Sequence, residues 1–136
     1  MTKWKNIPND IKNYEGFVYI ITNQLNKKYY IGQKKFWSII RRKPLKGYKR
    51  PRISKVESNW QDYWGSCKDL HSDIKKYGEK NFTRMMIEHC TSKALMNYLE
   101  TEHQFKHKVL FDPNCYNNII NCRISSMQLG TKKKVL

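Results

Sequence analysis

The sequence predicts a mixed α+β domain that contains a β-hairpin, a third strand and amphipathic helices. Its 136 residues suit one domain with a single modest core. Two runs rich in β-branched and aromatic residues, Phe17 to Thr22 and Lys28 to Gly32, flank a turn-like segment, which is typical of a hairpin. Further along the chain, 67–77 and 93–109 carry apolar residues at helical spacing. Strands and helices therefore share one domain.

The first half of the chain sets the expected domain boundaries. Residues 1–15 are polar and are expected to form a leader that packs on the domain edge. Residues 34–43 are predicted to form a helix, because Pro44 would stop it. An exposed loop is predicted for 44–56. The main folded domain is expected to span 16–122 with a basic loop at 41–58, and 123–136 to form a basic tail whose Lys132, Lys133 and Lys134 are mobile.

The second half supplies two helices and the third strand. Leu70 and Ile74 are four residues apart in 67–77, and Gly78 suits the end of that helix. Asn81 to Cys90 is predicted to be a strand. Ser92 can cap the helix 93–109, because its hydroxyl can accept a hydrogen bond from the first helical turn.

The charge of the chain favours a polyanionic partner. The formal net charge is +16, from 27 Lys and Arg against 11 Asp and Glu. Residues 34–55 hold ten Lys and Arg and no acid. Such charge opposes compaction unless a polyanion screens it, and nucleic acid is the commonest such partner. The candidate DNA contacts are Lys34, Lys35, Arg42, Lys46, Lys49, Arg50 and Arg52.

Membrane and secretory classes are not favoured. No run approaches eighteen apolar residues, and the polar N-terminus lacks an apolar signal core. The four cysteines match no zinc spacing. We therefore expect reduced thiols, no membrane partner and a cytoplasmic location. His103 and His107, four residues apart, could share a metal but are typical of surface residues.

The helix 93–109 carries one conspicuous carboxylate. Projected at about 100° per residue, the helix has Glu102 near the middle of one arc and Glu100 on the far side. The same arc holds Leu95, Tyr98, Leu99, Phe105 and Val109. A carboxylate on an apolar face is costly unless a metal, an arginine or a cleft compensates it. The alternative is an ion pair at the core rim, since buried acids are not confined to functional sites.

A series of motifs resembles the GIY-YIG nuclease family. The first is Phe17-Val18-Tyr19, in which Phe stands for the family's Gly, and the second is Tyr30-Ile31-Gly32, which matches fully. Tyr63-Trp64-Gly65-Ser66, 74–82, Leu99-Glu100-Thr101-Glu102 and Cys115-Tyr116-Asn117 follow in family order. The resemblance spans about 16–120 and is closest to phage and homing members.

The resemblance implies a fold and a site. The fold would be a small three-stranded antiparallel sheet flanked by helices, with Tyr19 and Tyr30 side by side. Glu102 would hold a single Mg²⁺ (or Mn²⁺), and Asn117 would support the site. An arginine on the helix after the second motif would bind the scissile phosphate; Arg41 is favoured and Arg42 is the alternative. Lys34, Lys35 or Lys46 could replace the histidine that many members carry, or no residue does. A phage-type member would act in the cytoplasm of a bacterial host cell.

These residue types suit phosphodiester cleavage. A metal and a guanidinium stabilise the charge that develops on phosphate oxygens, and arginine donates two parallel hydrogen bonds to phosphate. A tyrosine whose pKa is lowered by nearby cations could accept a proton from water; which tyrosine would act as base stays open. Trp60, Tyr63 and Trp64 suit packing more often than base stacking.

Three functions compete at this point. The favoured one is a metal-dependent DNA endonuclease encoded by a phage or mobile element and acting as a monomer or homodimer. The alternatives are a catalytically inactive basic nucleic-acid-binding protein and a cationic membrane-active protein.

Overall fold

The computed structural model describes residues 3–131. Its strands are β1 (Trp4–Lys5), β2 (Gly16–Asn23), β3 (Tyr29–Lys35), β4 (Trp37–Arg42), β5 (Arg52–Glu57) and β6 (Phe82–Cys90). Its helices are α1 (Lys68–Tyr77), α2 (Lys93–Lys106) and α3 (Ser126–Leu129), with short 3₁₀ turns at Ile11–Asn13, Trp60–Asp62 and Glu79–Asn81. The predicted α+β class is confirmed. The basic triplet 132–134 of the expected tail lies outside the described residues.

The main sheet has four strands rather than the three expected. Its order is β1-β6-β2-β3, with β2 antiparallel to both β3 and β6 and β1 parallel to β6. The extra strand comes from the leader: Trp4 is buried, and its indole Nε1 donates to the Trp60 carbonyl at 2.7 Å. The leader is therefore part of the sheet and core.

The helix predicted for 34–43 is wrong. β3 continues to Lys35, and β4 pairs with β5 in a separate two-stranded antiparallel sheet, here called the ribbon. Only Phe36 of this segment is buried, so a helix here would have no apolar face to pack. The β-branched Ile39 and Ile40 favour a strand. The expected loop 44–56 is correspondingly shorter, because β5 begins at Arg52.

The main sheet is covered on both faces. One cluster of buried residues, which includes Phe17, Tyr19, Ile21 and Leu70, packs under α1 and the 60–67 segment. The other cluster includes Val18, Ile31 and Met96 and lies under α2. Alternate residues of β2 point to opposite faces, which explains why the 17–22 run is apolar throughout.

The end of α1 and the start of α2 agree with the sequence. The Ser92 hydroxyl accepts a hydrogen bond from the Leu95 amide, and Gly78 ends α1 with φ +91°. Helix α2 ends at Lys106, three residues earlier than predicted. Among the described residues, no helix has the length and apolar character needed to span a bilayer.

Candidate active site

Tyr19 and Tyr30 lie side by side on neighbouring strands. Their ring centroids are 6.2 Å apart. Tyr19 pairs in register with Gly32 of β3, two residues beyond Tyr30 and on the same face. A Cβ built at Gly32 would meet the Tyr19 hydroxyl at 2.5 Å and a Tyr30 ring carbon at 3.0 Å. The glycine of Tyr30-Ile31-Gly32 is therefore required because the Tyr19 side chain occupies the space over it.

A third tyrosine joins this pair from the loop before α1. The Tyr63 side chain hydrogen-bonds to Tyr19, and the two ring centroids are 6.1 Å apart. Arg84 of β6 holds the loop in place, because its Nη1 donates to the Tyr63 carbonyl at 2.7 Å. The Arg84 guanidinium is stacked between the Trp4 and Trp64 rings, 4.7 and 4.1 Å from their centroids. Tyr63 is thus fixed by backbone and stacking contacts.

Lys34 is the cation that the structure places beside the tyrosines. Its Nζ lies 4.4 Å from the centroid of the Tyr63 ring. Partial burial lowers the pKa of Lys34. The side chain lines a cavity of about 490 Å³ with Tyr63, Gly65 and His71. Lys34 was predicted as a DNA contact and as one substitute for the family histidine, and its position suits both roles.

The carboxylate that faces the tyrosines is Glu100, not Glu102. Glu100 lines a cavity of about 330 Å³ with Tyr30, Ser66 and Asn117, whereas Glu102 is exposed. The predicted helical arc was therefore wrong about which glutamate is buried: α2 turns Met96, Glu100 and Gln104 towards the sheet. Tyr98 and Phe105, which the projection placed inside, are 47% and 65% exposed.

The surroundings of Glu100 leave its negative charge poorly compensated, which suits the binding of a cation. Burial raises its pKa to about 7, and hydrogen bonds from Gln104 and Gln33 only partly offset this. Oε1 accepts from Gln104 at 3.3 Å, while the buried Oε2 accepts no hydrogen bond of normal geometry from the described residues. An ionised, underbonded oxygen of this kind is costly. A divalent cation bound there would compensate it.

The chemistry of the donors fits magnesium with few protein ligands. Among residues 3–131 no group of three or more His, Cys, Asp or Glu side chains could hold a metal. Mg²⁺ commonly binds through one or two carboxylates and completes its shell with waters and substrate phosphate. Glu100 alone is therefore compatible with such a site. His103 contacts Glu88 at 3.1 Å, so the two-histidine metal site is not supported.

The open edge of β3 is held by side-chain amides. Asn117 Oδ1 accepts from the Ile31 amide and Asn117 Nδ2 donates to the Ile31 carbonyl, both at 2.9 Å. Gln104 Nε2 also donates to that carbonyl, at 3.3 Å. Asn117 is buried and lines the Glu100 cavity. It fixes the strand that carries Tyr30, which agrees with the supporting role expected for it.

The tyrosines do not have the lowered pKa considered from the sequence. Burial raises the pKa of Tyr19 well above its ordinary value, and burial is also the main cause that raises the pKa of Tyr30. Nearby Glu100 adds to both effects. Both phenols are therefore protonated at neutral pH in this state. They can donate hydrogen bonds to a phosphate oxygen or a water molecule.

Arg41 and Arg42 lie on the ribbon and not on a helix. Both are exposed, and neither lines the cavities around Tyr30 and Tyr63. The expectation that an arginine here follows the second motif on a helix fails because that segment is a strand. The other predicted DNA contacts lie on exposed or half-exposed surface: Lys35 on β3, Lys46, Lys49 and Arg50 in the β4–β5 loop, and Arg52 on β5.

Two residues at the candidate site, Tyr63 and Glu100, were not predicted from the sequence. Tyr63 was grouped with Trp60 as packing; this holds for Trp60, which is 4% exposed, but Tyr63 contacts the site. Glu100 was assigned to solvent. A polar stripe at four-residue spacing, with Glu100 and Gln104 following Met96, was the available signal for it.

Comparison with known proteins identifies the family. The family model described as "Putative endonuclease segE, GIY-YIG domain" matches residues 1–120. No match was found among curated proteins or among solved structures. The matched range includes the whole main sheet, the ribbon, α1 and α2, and hence every side chain of the cluster. The chain therefore belongs to the SegE-type GIY-YIG family of endonucleases.

Proposed function

We propose that this chain is a divalent-metal-dependent DNA endonuclease that hydrolyses phosphodiester bonds at the cluster of Tyr19, Tyr30, Lys34 and Glu100. The observation that carries the proposal is Glu100: a partly buried carboxylate with an underbonded oxygen that lines a cavity with Tyr30, whose ring lies beside that of Tyr19. Structural acids are seldom left so poorly compensated.

Glu100 is the metal ligand in this proposal. It would hold Mg²⁺, or Mn²⁺, together with phosphate oxygens of the substrate and water. When bound, the metal would stabilise negative charge on the reacting phosphate and on the leaving oxygen. The raised pKa of about 7 means that metal binding displaces a proton, so affinity for the metal should rise with pH.

The tyrosines and Lys34 act on the phosphate. The protonated phenols of Tyr19 and Tyr30 donate hydrogen bonds to non-bridging oxygens or orient the attacking water. Lys34 supplies the positive charge that we expected from Arg41 or Arg42, because it lies beside Tyr63 while both arginines lie on the ribbon. Fixed donors aimed at developing charge typically contribute on the order of 100- to 1000-fold in rate.

The test is cleavage of supercoiled plasmid in Mg²⁺ and in Mn²⁺ by the native chain, Glu100→Gln and Glu102→Gln. The native chain and Glu102→Gln should nick or linearise the plasmid, and Glu100→Gln should not. Equal DNA binding by all three chains would show that the loss is chemical. Binding without metal-dependent cleavage by the native chain would refute the enzyme and leave the nucleic-acid-binding protein. We also propose that the chain is encoded by a phage or mobile element, and the motif resemblance supports this.

A further inference from the structure

The ribbon has two faces of different character. Residues that pair across β4 and β5 share a face, so Arg41 and Ile53 lie on one face, while Arg42 and Arg52 lie on the other. Ile39 and Lys55 pair with each other on the first face. Trp37 packs against the main core, but the outer part of the ribbon, 39–42 and 52–53, is exposed, and a two-stranded sheet is marginally stable alone. A partner for the ribbon would therefore be expected.

The first face opens onto a basic cleft, and we call it the cleft face. Trp37, Ile39 and Lys55 of this face line a cleft of about 700 Å³. The opposite wall carries Lys34, Lys35 and Lys93. Glu15 is the one acid lining the cleft, and it is paired with Lys55 at 3.4 Å. Lys34 also lines the cavity beside Tyr63. Lys34 is thus shared by the cleft and the candidate active site.

The cleft face presents both apolar and cationic groups to solvent. Ile39 is 67% exposed and Ile53 is 63% exposed, an unusual surface for β-branched aliphatic side chains. Arg41 is exposed and lies directly opposite Ile53. An isoleucine can make an apolar contact with a thymine methyl group, and an arginine can donate two hydrogen bonds to O6 and N7 of guanine.

The opposite face of the ribbon suits phosphate. Arg42 and Arg52 are directly opposite each other, and like charges at such positions destabilise a sheet. Both arginines are exposed, so the repulsion is tolerable in solvent and would be relieved by an anion. Their long side chains, on neighbouring strands, could reach the phosphates at the rim of a groove that the cleft face enters.

We propose that the ribbon lies in the major groove of duplex DNA, with its cleft face towards the base edges and with Arg42 and Arg52 on the phosphate backbone. The major groove is about 12 Å wide and admits a two-stranded ribbon, whereas the minor groove is about 6 Å wide. This inference rests on the proposed function, because it places the duplex across the cleft that leads to Lys34. It assigns sequence preference to a part of the chain outside the cleavage site.

Arg41 and Arg42 form a matched pair for the test. They are adjacent, both exposed, and on opposite faces, so Arg41→Ala and Arg42→Ala remove the same charge from different surfaces. Each variant is used to select duplexes from a library with a randomised centre, in EDTA so that no cleavage occurs. Unchanged thermal unfolding of both variants would exclude a folding defect.

The expected results differ between the two variants. The native chain enriches a preferred sequence; Arg41→Ala loses the preference at one or two base pairs, with the ratio of preferred to random affinity falling about tenfold. Arg42→Ala keeps the preference but binds all sequences more weakly, and its log–log salt slope falls by about one. Replacing the preferred guanines by 7-deazaguanine, which removes the major-groove N7 acceptor, weakens the native chain about tenfold and leaves Arg41→Ala unchanged.

Three outcomes would overturn the inference: no sequence preference in the native chain, equal effects of both variants on the preference, or indifference to 7-deazaguanine. The selection measures binding, so it is separate from plasmid cleavage. A chain that selects sequences but does not cut refutes the proposed function and keeps the ribbon assignment. A chain that cuts DNA without sequence preference keeps the proposed function and refutes the ribbon assignment.

Discussion

Replacing Glu100 by Gln should make the protein more stable and abolish its activity. In the folded chain, burial raises the Glu100 pKa from an ordinary value of 4.5 to about 7. The ionised carboxylate therefore disfavours folding, and the cost is absent below about pH 4.5 and complete above about pH 7. A neutral amide of the same shape removes that cost.

The size of the effect follows from the pKa values. A tenfold change in a protonation equilibrium is about 1.4 kcal/mol, so a change from 4.5 to about 7 corresponds to about 3 kcal/mol. Solvent over the exposed part of the carboxylate reduces this to about 2 kcal/mol. For a chain of this size we expect the midpoint of thermal unfolding to rise by about 6–10 °C at pH 8.

The assay is thermal unfolding of the native chain, Glu100→Gln and Glu102→Gln between pH 4 and pH 8. Glu102 is exposed on the same helix, so its variant controls for loss of one negative charge and should match the native chain. The gain for Glu100→Gln should vanish near pH 4, and Mg²⁺ at pH 8 should narrow the difference by stabilising only chains that keep Glu100. A destabilised Glu100→Gln, or a gain that does not depend on pH, would refute the reasoning.

Three further substitutions test the supports of the site. Gly32→Ala should lower cleavage at least tenfold and cost about 1–3 kcal/mol in urea unfolding, because the added methyl meets the Tyr19 hydroxyl; native-like kinetics would contradict the close approach. Asn117→Ala should destabilise the fold by about 2–3 kcal/mol, since it removes the hydrogen bonds to the Ile31 amide and the Ile31 carbonyl. A change under about 0.5 kcal/mol would show that water replaces the side-chain amide. Trp4→Ala should lower the free energy of unfolding by about 3–5 kcal/mol, because Trp4 of the leader is part of the core. A small effect in the same unfolding assay would contradict that packing.

The elements predicted correctly are those fixed by local sequence. The hairpin, β6, α1 and the start of α2 each carry their own signal, such as the cap at Ser92 and the glycine at Gly78. β1 could not be predicted, because two residues pair with a strand about eighty positions away. Strand β4 was mistaken for a helix and most of β5 for a loop, because their mixed basic and β-branched sequence has no alternation to indicate a strand with one buried face.

The candidate site was predictable in its tyrosines and not in its carboxylate. Tyr19 and Tyr30 lie in strands whose register follows from the hairpin. On α2 the inner face is polar at Glu100 and Gln104, while Tyr98 and Phe105 face solvent. A helical projection that assumes that the most apolar arc is buried therefore predicts the wrong buried face for α2. Local rules are expected to fail where a helix face serves a site instead of a core.

The amide of Asn117 has a consequence for solubility as well as for the site. Residues 114–116 pair with Tyr29 as a strand would, and the Asn117 side chain then continues the ladder by bonding both backbone groups of Ile31. The side chain thus imitates a neighbouring peptide group and occupies an edge that could otherwise recruit a strand from another molecule. A substitution there should expose that edge, so loss of activity at position 117 should be accompanied by self-association.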